Sequence, residues 1–166
     1  PTAPHFHDGV NADLYRQWLA QLPGPEALSL YLHVPFCAKM CWYCGCHTKI
    51  VGQYSPIAEY AATLAREIAL AADAIGRRAR VAHIHWGGGT PTILAADDFR
   101  RLMGVLNERF EVLPGAEIAV EADPRTLDDE RIRALAESGV NRVSLGVQDL
   151  NANVQEAINR VQPFEQ

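Results

Sequence analysis

Short apolar runs alternate along this chain with longer segments in which apolar residues recur every three or four positions. A short apolar run bounded by glycine, proline or polar residues predicts a buried strand, and the longer period predicts a helix with one apolar face. The predicted strands are 28–34, 81–86, 117–121 and 142–146. The predicted helices are 57–75, 95–110, 128–137 and 151–160. Strand and helix therefore alternate from residue 28 onwards.

This alternation predicts parallel strands joined by right-handed helical crossovers, and hence an α/β sheet or barrel. About four strand–helix units are too few to close a barrel. We therefore expect a partial, TIM-like (β/α) barrel of parallel strands, truncated after about four βα units and belonging to a longer chain. We assign residues 1–27 to an N-terminal segment and residues 28–166 to the first part of the barrel domain.

Composition and charge narrow the class of protein. The 166 residues are 48% hydrophobic, which is enough for one core in one domain. The formal net charge of -5 disfavours nucleic acid as a partner. No apolar run approaches the roughly 20 residues of a membrane-spanning helix. We therefore expect a cytoplasmic protein with no membrane span.

All four cysteines lie within ten residues, at the spacing CxxxCxxCxC. The first three, Cys37, Cys41 and Cys44, can surround one face of a cubane 4Fe-4S cluster and leave its fourth iron free to bind another molecule. Zinc usually takes its ligands from two separated pairs, although Cys46 or His47 could close a compact site. Redox-active thiols are a third alternative. The spacing favours the cluster and leaves the other two open.

The residues with unusual chemistry fall where the predicted strands end. The cysteine loop follows the first strand, a triglycine beginning at Gly87 follows the second, Glu121 ends the third, and Gln148 follows the fourth. In parallel α/β folds, ligands bind at the carboxyl ends of the strands. Four loops are therefore predicted to face one site. His83 and His85 alternate on one face of the second strand and could form a metal pair, but we expect them to be hydrogen-bonded core residues.

Five sequence blocks together resemble the radical S-adenosylmethionine (radical SAM) superfamily. Within it they are similar to the oxygen-independent coproporphyrinogen III oxidases (coproporphyrinogen dehydrogenases) of haem biosynthesis. The resemblance runs in order from residue 28 to residue 160. The blocks are Tyr31-x-His33-x-Pro35-Phe36-Cys37, Cys44-Gly45-Cys46, His85-Trp86-Gly87-Gly88-Gly89-Thr90-Pro91-Thr92, Glu121-Ala122-Asp123-Pro124-Arg125 and Gly146-Val147-Gln148-Asp149.

The resemblance implies an incomplete barrel followed by a smaller domain that covers the substrate. It implies an enzyme in which the open iron of a 4Fe-4S cluster binds S-adenosylmethionine (SAM), and in which a radical derived from SAM removes hydrogen from a substrate propionate. Carbon dioxide and one electron then leave, so that two propionates of coproporphyrinogen III become the vinyl groups of protoporphyrinogen IX. Without its second half, the chain is expected to be inactive by itself.

The resemblance also implies partners and an alternative. A reduced flavodoxin or ferredoxin would donate electrons, and the full-length enzyme would be a cytoplasmic monomer. The alternative is a haem chaperone of the same ancestry, which binds and transfers haem. Such chaperones share the cluster loop but generally lack the Cys44-Gly45-Cys46 ending, so this ending favours the enzyme.

Residue roles also follow from the resemblance. Cys37, Cys41 and Cys44 match the cluster ligands. Cys46 matches a family cysteine that is not a ligand, for which a catalytic role and a small apolar filler are equally supported. Tyr31 matches a catalytic residue near the cluster and the first SAM, and strand parity places it on the same face as His33.

The remaining matches concern SAM itself. Tyr43 would lie on the adenine, and Glu121 would accept hydrogen bonds from cofactor hydroxyls; a surface acid at a strand end is the plainer alternative for Glu121. The backbone of the triglycine would approach the methionine end. Two further residues match a second SAM site. For the arginine among them, an unpaired side chain at a helix end is the plainer alternative. The cofactor-binding residues are Tyr31, Tyr43, Gly88, Gly89, Thr90 and Glu121 for the first SAM and Gln148 and Arg160 for the second.

Overall fold

The computed structural model of the chain describes residues 8–166. In chain order the elements are α1 (Ala12–Ala20), β1 (Leu28–Val34), β2 (Phe36–Cys37), β3 (Lys49–Ile50), α2 (Ser55–Ile75), β4 (Arg80–Gly88), α3 (Ala96–Arg109), β5 (Glu111–Ala122), α4 (Asp129–Glu137), β6 (Arg142–Leu145) and α5 (Ala152–Ala157). The first seven residues of the predicted N-terminal segment lie outside this description, and the boundary at residue 27 stays a prediction.

Four strands form one sheet in the order β1-β4-β5-β6, and every neighbouring pair is parallel. The predicted α/β class and the parallel strands are confirmed. Strands that are adjacent in this sheet are consecutive among its members along the chain, with one helical crossover between each pair. The carboxyl ends of all four strands consequently lie along the same edge, which is where a ligand site is expected.

The hydrophobic core lies between one face of the sheet and the helices α2 and α3. Alternate residues of the strands point to this face because successive side chains of a strand point in opposite directions. The larger apolar residues of the four-stranded sheet that are buried in this core are Leu32, Val34, Val81, Ile84, Trp86, Ile118 and Val120. At about 25 cal/mol per Å² of buried apolar surface, this layer is the main source of stability.

Helices α2 and α3 begin and end where their sequences favour it. α2 has proline in its first turn and presents its buried residues at helical spacing from Ile57 to Ile75. It ends at Gly76, whose φ of 72° suits glycine at a helix terminus. α3 carries Asp97 and Asp98 in its first turn, where the helix dipole favours negative charge.

The structure differs from the sequence-based expectations in five elements. α1 was not expected; none of its residues is fully buried, and Leu19 packs against the core while partly exposed. β2 and β3 are two residues each, which is too short for a sequence pattern. β5 begins at Glu111, six residues before the predicted start, because strand pairing with β4 continues on both sides of Gly115. α5 is shorter than the predicted helix 151–160.

Within residues 8–166, no helix has the length and apolar character needed to cross a bilayer.

Candidate functional site

The cysteines lie in a segment that we call the cluster loop, residues 38–48 together with Cys37 at its start. The loop leaves the short strand β2 and returns to β3, and the two strands are paired in parallel. The backbone N–H of Lys49 donates to the Pro35 carbonyl at 2.7 Å, and that of Val51 donates to the Cys37 carbonyl at 3.1 Å. These bonds hold both ends of the loop beside the carboxyl end of β1.

None of the four cysteines is in a disulfide: Cys41 is buried, Cys37 and Cys44 are half-buried, and Cys46 is exposed. Among the described residues, no three His, Cys, Asp or Glu side chains converge closely enough to hold a single metal ion. Tetrahedral zinc needs four ligands around one point. A cubane cluster instead binds each cysteine at a different iron.

Two arginines approach the sulfur of Cys41. Arg125 and Arg160 each place a guanidinium nitrogen 3.5 Å from Cys41 Sγ. Burial disfavours the thiolate, but the hydrogen bonds and charges of the two arginines outweigh burial and lower the pKa of Cys41. The thiolate is the form that binds metal, so this environment suits a cluster ligand.

Asp123 forms ion pairs with the same two arginines. Its carboxylate accepts from Arg125 at 2.6 Å and from Arg160 at 3.2 Å, and it is almost fully buried. Burial alone would raise the pKa of Asp123, but the hydrogen bonds from Arg125 outweigh burial and lower it. The three charged side chains thus form a buried network under the cluster loop. Its position could not be predicted from the chain, because Arg125 and Arg160 are 84 and 119 residues from Cys41.

The glycines after β4 let two backbones approach closely. A Cβ added at Gly89 would lie 2.7 Å from the Phe36 carbonyl oxygen and 3.0 Å from Cys37 Sγ. Gly88 has a φ of +117°, which a side chain rarely adopts. The Thr90 hydroxyl donates to Cys37 Sγ at 3.2 Å. The end of β4 and the cluster loop therefore form one wall of a cleft, which only glycine allows.

Glu121, near the end of β5, lies beside that wall, with both carboxylate oxygens engaged. One lies 3.2 Å from Nε2 of His85, and the other accepts from the backbone N–H of Gly88 at 3.3 Å. About half of the Glu121 side chain remains accessible. A carboxylate accepts roughly four hydrogen bonds, so Glu121 keeps acceptor capacity toward the cleft.

Tyr31 lies next to this pair. Its ring stacks on His85 at 5.8 Å, and its hydroxyl is 3.0 Å from Nδ1 of His33. Burial, with a smaller contribution from the Glu121 charge, raises the pKa of Tyr31, so the phenol keeps its proton. The predicted shared face of Tyr31 and His33 is confirmed. His83 is exposed and His85 is half-buried, so the expectation that both are core residues was wrong.

The cleft has a volume of about 330 Å³, within the usual range for small-molecule sites. Most of the predicted site residues line it: Cys37, Cys41, Tyr43, Cys44, Cys46, Gly88, Gly89, Thr90, Glu121 and Arg160. Tyr31 lies at its edge, because a Cβ on Gly87 would touch both Tyr31 and Glu121. Gln148 does not line the cleft, but its amide is near Gly146, which does.

The structure also bears on the plainer alternatives for two residues. Cys46 is exposed, which does not fit an apolar filler. Arg160 is almost fully buried and donates to the Gly146 carbonyl at 2.7 Å as well as to Asp123, so it is not an unpaired helix-end arginine. Two residues to which the sequence analysis gave no role in the site, His85 and Arg125, contact it directly. Both lie inside the recognised blocks, and for His85 strand parity with Gly87 was an available signal.

Comparison with known proteins supports this description. The oxygen-independent coproporphyrinogen III oxidase of Bradyrhizobium diazoefficiens is 58% identical over 166 residues, which are all of this chain and 37% of that protein. The enzyme of the same name from Paracoccus denitrificans is 43% identical over 165 residues, again 37% of its length. The chain thus spans somewhat more than a third of the length of these curated relatives.

A solved structure agrees with the sequence comparison. The coproporphyrinogen III oxidase HemN from Escherichia coli, described as a radical SAM enzyme, superposes with a TM-score of 0.90 at 39% identity. The superposition covers 99% of this chain and 38% of that one. The sequence profile of the radical SAM superfamily matches residues 31–166. This chain therefore belongs to the radical SAM superfamily, and membership implies a 4Fe-4S cluster and SAM as cofactors.

Proposed function

We propose that the protein to which this chain belongs carries out the oxygen-independent oxidative decarboxylation of coproporphyrinogen III to protoporphyrinogen IX. The supporting observation is the cleft in which three free cysteines, a glycine-rich strand end and Glu121 meet. The similar proteins are named as coproporphyrinogen III oxidases, which does not favour the haem chaperone as an alternative.

In this proposal Cys37, Cys41 and Cys44 hold the cluster, and Arg125 and Arg160 keep the Cys41 sulfur ionised. When bound, the reduced cluster and SAM supply a carbon radical that removes hydrogen from a substrate propionate, after which carbon dioxide and one electron leave. The residues of this chain bind and orient the cofactors for that step and exclude water from the cleft.

The first SAM would bind in the cleft beside the cluster loop and the end of β4. Glu121 would accept hydrogen bonds from cofactor hydroxyls while His85 and Gly88 keep its carboxylate fixed. Gly88, Gly89 and Thr90 would meet the methionine end, and Tyr43 the adenine. Tyr31, held by stacking on His85, would act near the reacting atoms together with the exposed thiol of Cys46.

A second SAM is the finer part of the proposal. Its residues would be Gln148 and Arg160. Arg160 already donates to Asp123 and Gly146, while its Nε is buried without a hydrogen-bond partner among the described residues.

Electrons would come from a reduced flavodoxin or ferredoxin, and the full-length enzyme would be a monomer. The cytoplasm is the proposed compartment, because four free cysteines suit a reducing environment.

The test uses a full-length protein that carries this sequence, reconstituted anaerobically with iron and sulfide. It should convert coproporphyrinogen III to protoporphyrinogen IX when SAM and reduced flavodoxin are present. The reduced protein should give an electron paramagnetic resonance signal that shifts when SAM is added. Haem uptake and transfer without turnover would overturn the proposal in favour of the chaperone. Full iron content in Cys37→Ala would overturn the ligand assignment.

A further inference from the structure

The residues that directly follow helix α5 each contact one residue of the cluster loop. The backbone N–H of Trp42 donates to the Ile158 carbonyl at 3.0 Å, and the Asn159 side-chain amide donates to the Met40 carbonyl at 2.6 Å. Between them, Arg160 reaches Cys41 Sγ. Three consecutive loop residues, 40–42, are thus held by the three consecutive residues 158–160. About 119 residues of chain separate the two segments.

The backbone at Asn159 explains why the helix ends there. Asn159 has a φ of 53° and is the single non-glycine residue with positive φ in the part of the chain described, 8–166. Asparagine adopts this left-handed conformation more readily than most residues do. The turn ends the helical path and directs the Asn159 amide and the Ile158 carbonyl toward the loop. A regular helix through residue 160 would not present these groups together.

A buried side chain holds this segment in shape. Gln155 is almost fully buried, and its amide nitrogen donates to the carbonyls of Asp149 and Gln162 at 2.8 and 2.9 Å. Its amide oxygen accepts from the Gln162 backbone N–H at 3.0 Å, and its backbone carbonyl accepts from the Arg160 N–H. All these groups are satisfied, so the segment has a defined conformation of its own.

We propose that residues 151–162, which we call the clasp, pre-organise the cluster loop, and that Asn159 is the positioning residue through which they do so. The cluster loop has few backbone hydrogen bonds of its own, one being from Cys44 N–H to the Cys41 carbonyl. Fixing residues 40–42 from outside removes conformations in which Cys41 points away from the other two cysteines. The cluster is then held by a loop that is already in place.

The proposal rests on the proposed function only in that the loop holds a cluster, and the experiment separates the two. Full-length proteins that carry this sequence are reconstituted, and the rate of iron loss to a chelator is measured by absorbance. Asn159→Gly keeps the left-handed backbone and deletes the amide. Asn159→Asp tolerates the same backbone and replaces the donor by an oxygen that faces the Met40 carbonyl. Asn153→Ala is the control, because Asn153 is exposed on the same helix.

Loss of one hydrogen bond predicts iron release roughly three- to tenfold faster in the Gly and Asp variants of Asn159, with the control at the wild-type rate. Hydrogen exchange of the iron-free proteins should show faster exchange in residues 38–48 and unchanged exchange in α2, which distinguishes a released loop from misfolding. Wild-type iron loss and exchange in both variants would overturn the clasp. Failure of the wild type to take up iron would instead overturn the cluster assignment, and the exchange measurement would still test the clasp.

Discussion

The two faces of the same four-stranded sheet are built from alternate residues, and they differ in burial and in polarity. On the helix-covered face, Ile84 and Trp86 are completely buried among apolar side chains. On the opposite face, Tyr31 and His85 are accessible, their rings stack, and His85 is hydrogen-bonded to Glu121. Neighbours in sequence, such as His85 and Trp86, belong to different faces.

The difference teaches that stability and binding are separable within single strands of this protein. The covered face contributes the stabilisation that comes from burying apolar surface, and it exposes few groups that could bind a ligand. The open face contributes hydrogen-bonding groups at the carboxyl ends of the strands and buries little. Substitutions on the covered face should therefore lower stability and leave cofactor affinity unchanged, and those on the open face should do the reverse.

The largest effect is expected for Trp86→Ala in the covered face. Trp86 is fully buried and packs on Phe99 with ring centroids 5.0 Å apart. Truncation should lower the free energy of unfolding by about 3 to 5 kcal/mol, measured by urea denaturation of the iron-free full-length protein. SAM affinity of the folded fraction should be unchanged after reconstitution.

Trp86→Phe is the matched control for that prediction. It keeps an aromatic ring in the core and removes an indole N–H that has no hydrogen-bond partner among residues 8–166. Its loss of stability should be clearly smaller than that of the alanine variant. A large drop in SAM affinity in either variant would mean that the two faces are coupled.

Glu121→Gln should have the next largest effect, now on the open face. A charge-assisted hydrogen bond contributes about 1.5 to 3 kcal/mol, so SAM should bind roughly ten- to a hundredfold more weakly. Iron content should be unchanged. Titration of SAM into equal amounts of reconstituted wild type and variant measures the change. Equal dissociation constants would remove Glu121 from the site.

Tyr54→Phe tests a polar contact on the covered side. The Tyr54 hydroxyl donates to Asp98 and accepts from the Ala95 N–H, and so joins the start of α2 to the start of α3. The variant should lose about 1 kcal/mol of stability at neutral pH, since one hydrogen-bonded hydroxyl is removed. The cleft is not involved, so SAM affinity should be unchanged.

The pH dependence of that contact has a definite sign. Burial, together with the hydrogen bond to Asp98, raises the pKa of Tyr54 to about 12. Below about pH 10 the phenol is neutral in the folded and unfolded chains, so its contribution is fully present. Between about pH 10 and 12 the unfolded chain ionises first, and the contribution is lost as the pH rises. The stability difference between wild type and Tyr54→Phe should shrink over this window; a constant difference would contradict the assignment.

The smallest effect is expected for His85, which acts through Glu121. His85→Ala removes one of the two contacts that fix the carboxylate and should weaken SAM binding about two- to tenfold. His85→Gln places an amide donor near the lost Nε2 and should restore part of the affinity. His83→Ala is the control, because His83 is hydrogen-bonded to Ser29 and not to Glu121. In a Glu121→Gln background the His85 effect should largely disappear; additive effects would argue against positioning.

Local sequence determined the helices and strands whose bounds depend only on their own residues. The apolar run 28–34 is a strand with the predicted bounds, and the periodic segment ending at Gly76 is a helix. The three cysteines of the predicted cluster are close because they are close in sequence. The parallel direction of the strands also followed, since alternating strands and helices imply right-handed crossovers between parallel strands.

Tertiary structure alone decided the contacts between distant segments. The predicted helix 151–160 ends early because residues 158–160 turn to hold the cluster loop, and no local pattern encodes a partner about 119 residues away. The β2–β3 pair was not predicted because two-residue strands have no apolar period of their own. Helix α1 does have apolar residues at helical spacing, Leu14, Tyr15, Trp18 and Leu19, so a local signal for it was available. His85 contacts the site across two strands, through Glu121, and Arg125 contacts it through Cys41 of the cluster loop. Hydrophobic periodicity reports which face is buried, whereas hydrogen bonds between distant residues depend on how the faces are finally assembled.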